Sequence, residues 1–293
     1  MNDMTRTLGR GGTAMCIGGT AFWIVVLVLA PHVMMIDFSL RPSLILSDAG
    51  GPRDHWQLTN YANLIFDPLG GQIFAKTIWA SIMVTAVTLA ICYPLAFYLA
   101  QIVPRHRLRL LMLLLIVPFW INEILRTFAW QILLAQKGPI NTLLLDLQLI
   151  ADPIRFTRGN AGVLIGMTYA YILFMVFPIY SAMETLDRSQ IEASRDLGAR
   201  WWSVHRYIIV PHAKPGIASG CIVTFMLAAG SFAVPQILGG VDSLWFTQLI
   251  YNRFNVGDWN AGAAYAVALE ALCLVFVLAM MRLFRVGLRD IAR

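Results

Sequence analysis

The sequence predicts an all-α integral membrane protein of six transmembrane helices, and three observations carry that expectation. Hydrophobic residues make up 58% of the 293 residues and charged ones only 13%. With a mean hydropathy of +0.68 the chain is too apolar for a soluble core with a polar skin. Six apolar runs reach the roughly 20 residues that a helix needs to cross the hydrocarbon, where each backbone N–H has to be paired within its own segment. Lys and Arg concentrate in alternate connecting segments, the pattern left by cytoplasmic retention of basic loops.

The runs cover approximately residues 14–38, 74–100, 108–134, 161–182, 216–238 and 261–284 of a single domain, 1–293. The first exceeds the roughly 7–15 apolar residues of a signal peptide and no A-x-A-like site follows, so an uncleaved span is expected. Pro31, Pro94, Pro118 and Pro235 lie within the first, second, third and fifth runs. Each would cost about 3 kcal/mol in a soluble helix, but neighbouring helices in a bundle can re-satisfy the freed carbonyls, so kinks are expected. Around Pro235, Gly230, Gly239 and Gly240 favour close helix packing over a gating hinge.

Placing the N-terminus in the cytoplasm puts Arg6, Arg10, Arg105, Arg107, Arg109, Arg188, Arg195, Arg200, Arg206, Lys214, Arg282, Arg285, Arg289 and Arg293 inside, most of the chain's 22 basic residues. Both termini are therefore expected to be cytoplasmic. Arg41, Arg53, Lys76, Arg126, Lys137, Arg155, Arg158 and Arg253 fall on the other side or near helix ends. The net charge of +6 follows from this bias, and no separable basic face points to nucleic acid.

Cys16, Cys92, Cys221 and Cys273 sit in apolar runs without a C-x-x-C pair, and the five His show no H-E-x-x-H spacing. Neither metal ligation nor catalysis is expected. No G-x-x-x-x-G-K-[ST] loop occurs, so the chain holds no Walker A of its own.

One segment breaks the apolar pattern. Residues 183–215 include "IEASRDLGA", Ile191 to Ala199, a charged, helix-prone block. Ser189 with Glu192 three residues later has the form of a capping box, and Gly198 suits the positive φ that ends a helix. A second short helix over 201–210 follows, with Pro211 and Pro215 barring its continuation. Two readings stay open: a knob that docks into another protein, or an interfacial helix anchored in lipid by Trp201, Trp202 and Tyr207.

The register Glu192-Ala193-Ser194, three residues, Gly198, nine residues, Ile208, one residue, Val210-Pro211 resembles the E-A-A-x3-G-x9-I-x-L-P loop of permease subunits of binding-protein-dependent ABC importers. Ser194 and Val210 replace the usual Ala and Leu. "LTNYANLIFD" (Leu58–Asp67), "YPLAFYLA" (Tyr93–Ala100), "PFWINEILRTFAWQILL" (Pro118–Leu134), "KGPIN" (Lys137–Asn141) and "VPQILGG" (Val234–Gly240) are similar to the spermidine/putrescine type within that family. The resemblance implies a type I ABC importer transmembrane domain in a bacterial inner membrane. It implies a cytoplasmic coupling helix carried by Glu192, Ala193, Ser194, Asp196, Leu197, Gly198 and Ala199. Its implied partners are a second homologous permease, two copies of a cytoplasmic ATPase that uses ATP and Mg²⁺, an extracytoplasmic solute-binding protein and membrane lipid. This chain would bind no cofactor and catalyse no reaction.

By that resemblance the function is translocation of a small cationic solute of the polyamine class by alternating access. The alternatives are another small solute of iron, amino acid or opine type or, from a different class, an ion-coupled secondary transporter. The last predicts inverted repeats with matching broken helices, and no such symmetry is visible. Intramembrane ionisable groups are functional candidates by default, which singles out Glu123 and Arg126, three apart on one helix face, and Glu270. With Trp120, Tyr171, Phe232 and Tyr265 they form the expected substrate path, carboxylates and aromatic faces holding an ammonium group weakly. The alternative is internal glue, with Arg126 paired to Glu123 or Glu270. Permeases of this type often carry an acidic residue near the stretch Gly230-Ser231-Phe232, where this chain has Ser231. The second permease could supply that carboxylate, or the ligand departs from a conventional polyamine.

Overall fold

A computed structural model of the protein describes residues 2–43, 51, 54–157, 159–240 and 243–287, with only the backbone for 2–8 and 10. The side chains of Arg6 and Arg10, and Arg53, Arg158, Arg289 and Arg293, all used in the charge reading, lie outside the described residues. Among those residues every regular element is helical. Five continuous helices are long and apolar enough to cross a membrane: Gly11–Leu40, Pro68–Ile102, Ala161–Glu184, Trp201–Ala229 and Trp259–Phe284.

The third of the six expected spans is broken. Arg105–Trp120 and Glu123–Leu133 meet at 93°, where 108–134 reads as one helix in the sequence. Pro118 opens a tight 3₁₀ turn, Val117–Trp120, because it has no N–H to continue the α ladder. Asn122 then caps a new helix, its side chain accepting from the Ile124 N–H at 2.8 Å, which satisfies one of the orphan donors at a helix start.

The fifth span also differs from the expected 216–238. It begins at Trp201 and ends at Ala229, and Ala233–Leu238 is a separate short helix containing Pro235. Pro211 and Pro215 do not stop it. The turn His205–Ile209 is a wide π turn in which the Val210 N–H reaches back to the His205 carbonyl. Widening moves the carbonyl four residues before Pro211 out of the way of its ring. The first span repeats the device, a π turn at Val25–Leu29 just ahead of Pro31.

Read as one domain in the sequence, the chain divides into two compact units: residues 1–68 with 250–268, and 69–249 with 269–293. In the first, Arg41 bonds Asp37 at 2.8 Å and Asp54 at 3.0 Å. Asn60 donates to the carbonyls of Ser39 and Arg41 at 3.0 and 2.7 Å, tying helix Thr59–Phe66 to the end of the first span.

In the second unit the fourth and fifth spans form the spine. Gly216 permits their approach: a Cβ there would collide with the Pro178 carbonyl and sit 2.7 Å from the Ala182 Cβ. Small residues at such crossings replace the hydrophobic driving force that lipid removes. One apolar cluster joins Met175, Val176, Ile179, Met183, Ile217 and Cys221 from these spans to Cys92 and Ala96 of the second. A second gathers Val84, Met167, Tyr171, Val234, Leu238 and Trp245.

Candidate functional site

Between the fourth and fifth spans the chain forms the projecting knob. Helix Arg188–Asp196 is capped by Asp187, whose carboxylate accepts from the Ser189 N–H at 3.0 Å. The cap therefore lies two residues before the expected Ser189, and the capping box with Glu192 is not the device used. The Ser189 N–H and hydroxyl hold the Asp187 carboxyl below its ordinary value of 3.8, because hydrogen bonds to the ionised form favour it.

The helix ends as the glycine predicts. Gly198 has φ 80°, and the Ala199 and Gly198 N–H groups bond the carbonyls of Ser194 at 3.0 Å and Arg195 at 2.8 Å. This is the paired Schellman arrangement. A Cβ at Gly198 would meet nothing within 4 Å, so backbone conformation alone favours glycine here.

The knob has one buried anchor and an exposed face. Ile191, 8% exposed, joins Leu186, Val204 and Ile209 in the apolar cluster of the spans. Glu192, Ala193, Arg195, Asp196 and Gly198 are exposed, and Ser194 and Ala199 partly so. Leu197 is 90% exposed, an apolar side chain held out at the tip of a charged turn. Trp201, Trp202 and Tyr207 are exposed as well.

The intramembrane candidates separate into groups. At the break in the third span, the Arg126 guanidinium lies 4.3 Å over the Phe119 ring and 5.9 Å from that of Tyr169. Its Nε and Nη1 are buried without a hydrogen-bond partner, so the pairing with Glu123 or Glu270 expected of internal glue is not made through them. Aromatic faces stand in for a carboxylate. Buried Tyr171 lies beside Ser231 and within electrostatic reach of Glu123 and Arg126. Ser231 is buried, while Glu123, Trp120 and Phe232 are exposed. Glu123, Arg126 and Tyr171, with the 231–232 turn, are thus brought together.

The other two candidates have their own neighbours. Tyr265, 1% exposed, belongs to the first unit, with the Arg253 guanidinium 5.5 Å from its ring. Glu270 is exposed on the last span, within electrostatic reach of Cys273.

Sequence reasoning passed over Asp187, Ile191 and His205. Asp187 directly precedes the helix it caps, and Ile191 is the one apolar aliphatic side chain larger than Ala in Arg188–Asp196, both readable signals. His205 gave none, because its partner lies 112 residues away.

A family model described as "Binding-protein-dependent transport system inner membrane component" matches residues 93–289. The spermidine/putrescine transport system permease protein PotB of Escherichia coli strain K12 is 36% identical over 265 residues, covering 90% of this chain and 94% of that protein. PotB of Haemophilus influenzae is 34% identical over 264 residues, covering 87% and 88%. A crystal structure of a bacterial ABC transporter involved in import of the acidic polysaccharide alginate superposes with a TM-score of 0.70 at 14% identity, covering 93% of this chain and 94% of that one. The MetNI methionine ABC transporter gives 0.54 at 18% identity, covering 74% and 97%.

Proposed function

The chain belongs to the family of binding-protein-dependent transport system inner membrane components, and on that premise we propose that it is the channel-forming permease of an ATP-driven importer for a small cationic solute of the polyamine class. The spermidine/putrescine relatives supply the substrate class. The exposed knob supplies the mechanism and is the observation that carries it: a capped helix, anchored at Ile191 and holding Leu197 outward, on a chain without a Walker A.

In this reading the knob and both termini are cytoplasmic. A second, homologous permease completes the channel, two ATPase subunits that use ATP and Mg²⁺ grip the knobs, and a solute-binding protein delivers cargo outside. Glu192, Ala193, Ser194, Asp196, Leu197, Gly198 and Ala199 form the ATPase-facing surface. Closure of the ATPases on ATP draws the knobs together and opens the cavity outward. Hydrolysis and product release return it inward. Moving a two-state equilibrium from 1:99 to 99:1 takes about 5.5 kcal/mol, and the knob is the route by which it enters the membrane.

Cargo meets a carboxylate and aromatic faces. With Arg126 turned onto Phe119 and Tyr169, the exposed Glu123 carboxylate is left for an ammonium group, with Tyr171 in electrostatic reach; Trp120, Phe232 and Glu270 are further candidates for contact with cargo. Each cation–aromatic contact contributes about 0.5–2 kcal/mol, weak enough for a conduit to release its cargo.

The test is uptake of radiolabelled spermidine by proteoliposomes of the whole complex. Uptake that needs ATP within the nucleotide compartment and binding protein on the other side is expected. Uptake driven by an ion gradient without ATP would overturn the proposal.

A further inference from the structure

We infer that Tyr93 and His205 form the link through which displacement of the knob reaches the second span, which makes both positioning residues of the transport cycle. The inference rests on the reading that an ATPase acts on the knob. Trp201 stands at the knob's root, half exposed, with its ring centroid 4.1 Å from that of His205. His205 is only 5% exposed. Its Nδ1 shares a 2.8 Å hydrogen bond with the Tyr93 hydroxyl, and Phe97, one helical turn further along the second span, closes on the same ring at 4.7 Å. Trp201, one turn earlier on the same helix where the knob runs into the fifth span, thus contacts the ring, and the second span grips it from a separate element.

The bond is the ring's polar tie. His205 Nε2 is buried without a partner, so among the described residues the Tyr93 hydroxyl is what satisfies this imidazole. The same stretches of chain contribute Cys92, Ala96, Val204 and Ile209 to an apolar cluster, and the Arg195 charge lies within electrostatic reach of the ring. An apolar contact can slide at little cost, whereas separating a buried polar pair leaves both groups unsatisfied. The hydrogen bond therefore fixes register where packing alone would not.

A second fastening lies where the chain enters the knob. Gln101 Nε2 donates to the carbonyls of Met183 at 2.6 Å and Leu186 at 3.3 Å. The knob is then tied at its entry and its exit to one stretch of the second span, residues 93–102. That stretch is built to change pitch: Pro94 lies within it and Tyr98–Ile102 is a π turn, as is His205–Ile209 on the other side of the bond. Prolines and π turns are where helices bend without breaking.

The test uses the whole complex in proteoliposomes and reads ATP hydrolysed per spermidine transported. Tyr93→Phe, with complex recovered in normal amount, is expected to raise the ratio about fivefold, the factor that corresponds to ~1 kcal/mol of coupling. His205→Leu should do the same, the double variant no more than either. His205→Gln, whose amide can still meet the hydroxyl, should return the ratio toward wild type. A wild-type ratio in Tyr93→Phe, or independent additive effects in the double variant, would overturn the link. Hydrogen exchange gives a second reading should a variant assemble poorly. On ATP binding, wild type should change in both 188–199 and 93–102, and Tyr93→Phe in 188–199 alone; equal responses at 93–102 would again overturn it. Failure of the functional reading itself is distinguishable, since wild type would then show no ATP-dependent uptake.

Discussion

Gly198 fixes the shape of the knob through one dihedral angle. At φ 80° an L-residue with a Cβ pays roughly 1–2 kcal/mol, although the Cβ itself would have free space. Gly198→Ala is therefore expected to leave insertion and thermal stability of the spans unchanged, to speed amide exchange at Leu197–Ala199, and to raise the ATP consumed per solute. Unaltered exchange there would show that the turn tolerates the side chain. Asp187 adds a pH dependence. Its carboxyl is held below 3.8 by the Ser189 N–H and hydroxyl, so its contribution is complete above that ordinary value and fades as pH falls through the depressed one. Amide protection over 188–191 should drop in that acid range in wild type, and Asp187→Ala should be low throughout. The glycine was legible because only a positive φ explains it between a polar helix and two tryptophans. The aspartate was mistaken for its neighbour because a serine two residues on satisfies the same spacing rule.

At the scale of elements, the sequence located the spans better than their ends. Hydropathy marks where hydrocarbon can surround a helix, but a helix continues past that boundary when its backbone can. The fifth span runs from Trp201 through Pro211 because the π turn accommodates the ring, and it stops at Ala229 although the apolar run continues to Leu238. The third breaks at Pro118 and Asn122, although the run 108–134 is long and apolar enough overall to read as one span despite Asn122, Glu123 and Arg126. The crossing of the fourth and fifth spans makes its own prediction. A side chain at Gly216 meets the Pro178 carbonyl, which is backbone, and overpacking of this kind costs typically 1–3 kcal/mol. Gly216→Val is expected to lower the thermal stability of the subunit in nanodiscs, in contrast with Gly198→Ala. Equal melting of the two variants would show that the crossing can open.

For the molecule as a whole, composition pointed to a membrane protein, and the loop's family resemblance, where its physics left protein docking and lipid anchoring open, pointed to a partner, but neither showed how the knob is tied to the spans. Tyr93 and His205 are 112 residues apart, and no local pattern of apolar and polar residues can pair them. The same holds for Arg126, which the sequence sets beside Glu123 but the fold sets over Phe119 and Tyr169. Because those rings occupy the arginine, Glu123→Gln is expected to reduce spermidine uptake several-fold while assembly stays normal. Full uptake by that variant would remove Glu123 from the path. The central claim remains that a separate ATPase holds the exposed turn, and Leu197, 90% exposed at its tip, is the place to ask. With Leu197→Cys carrying a short crosslinker in the assembled complex, the account predicts a covalent product with the ATPase subunit whose yield changes when ATP is added. Labelling of that cysteine by an impermeant reagent outside intact cells, with no ATPase product, would contradict it.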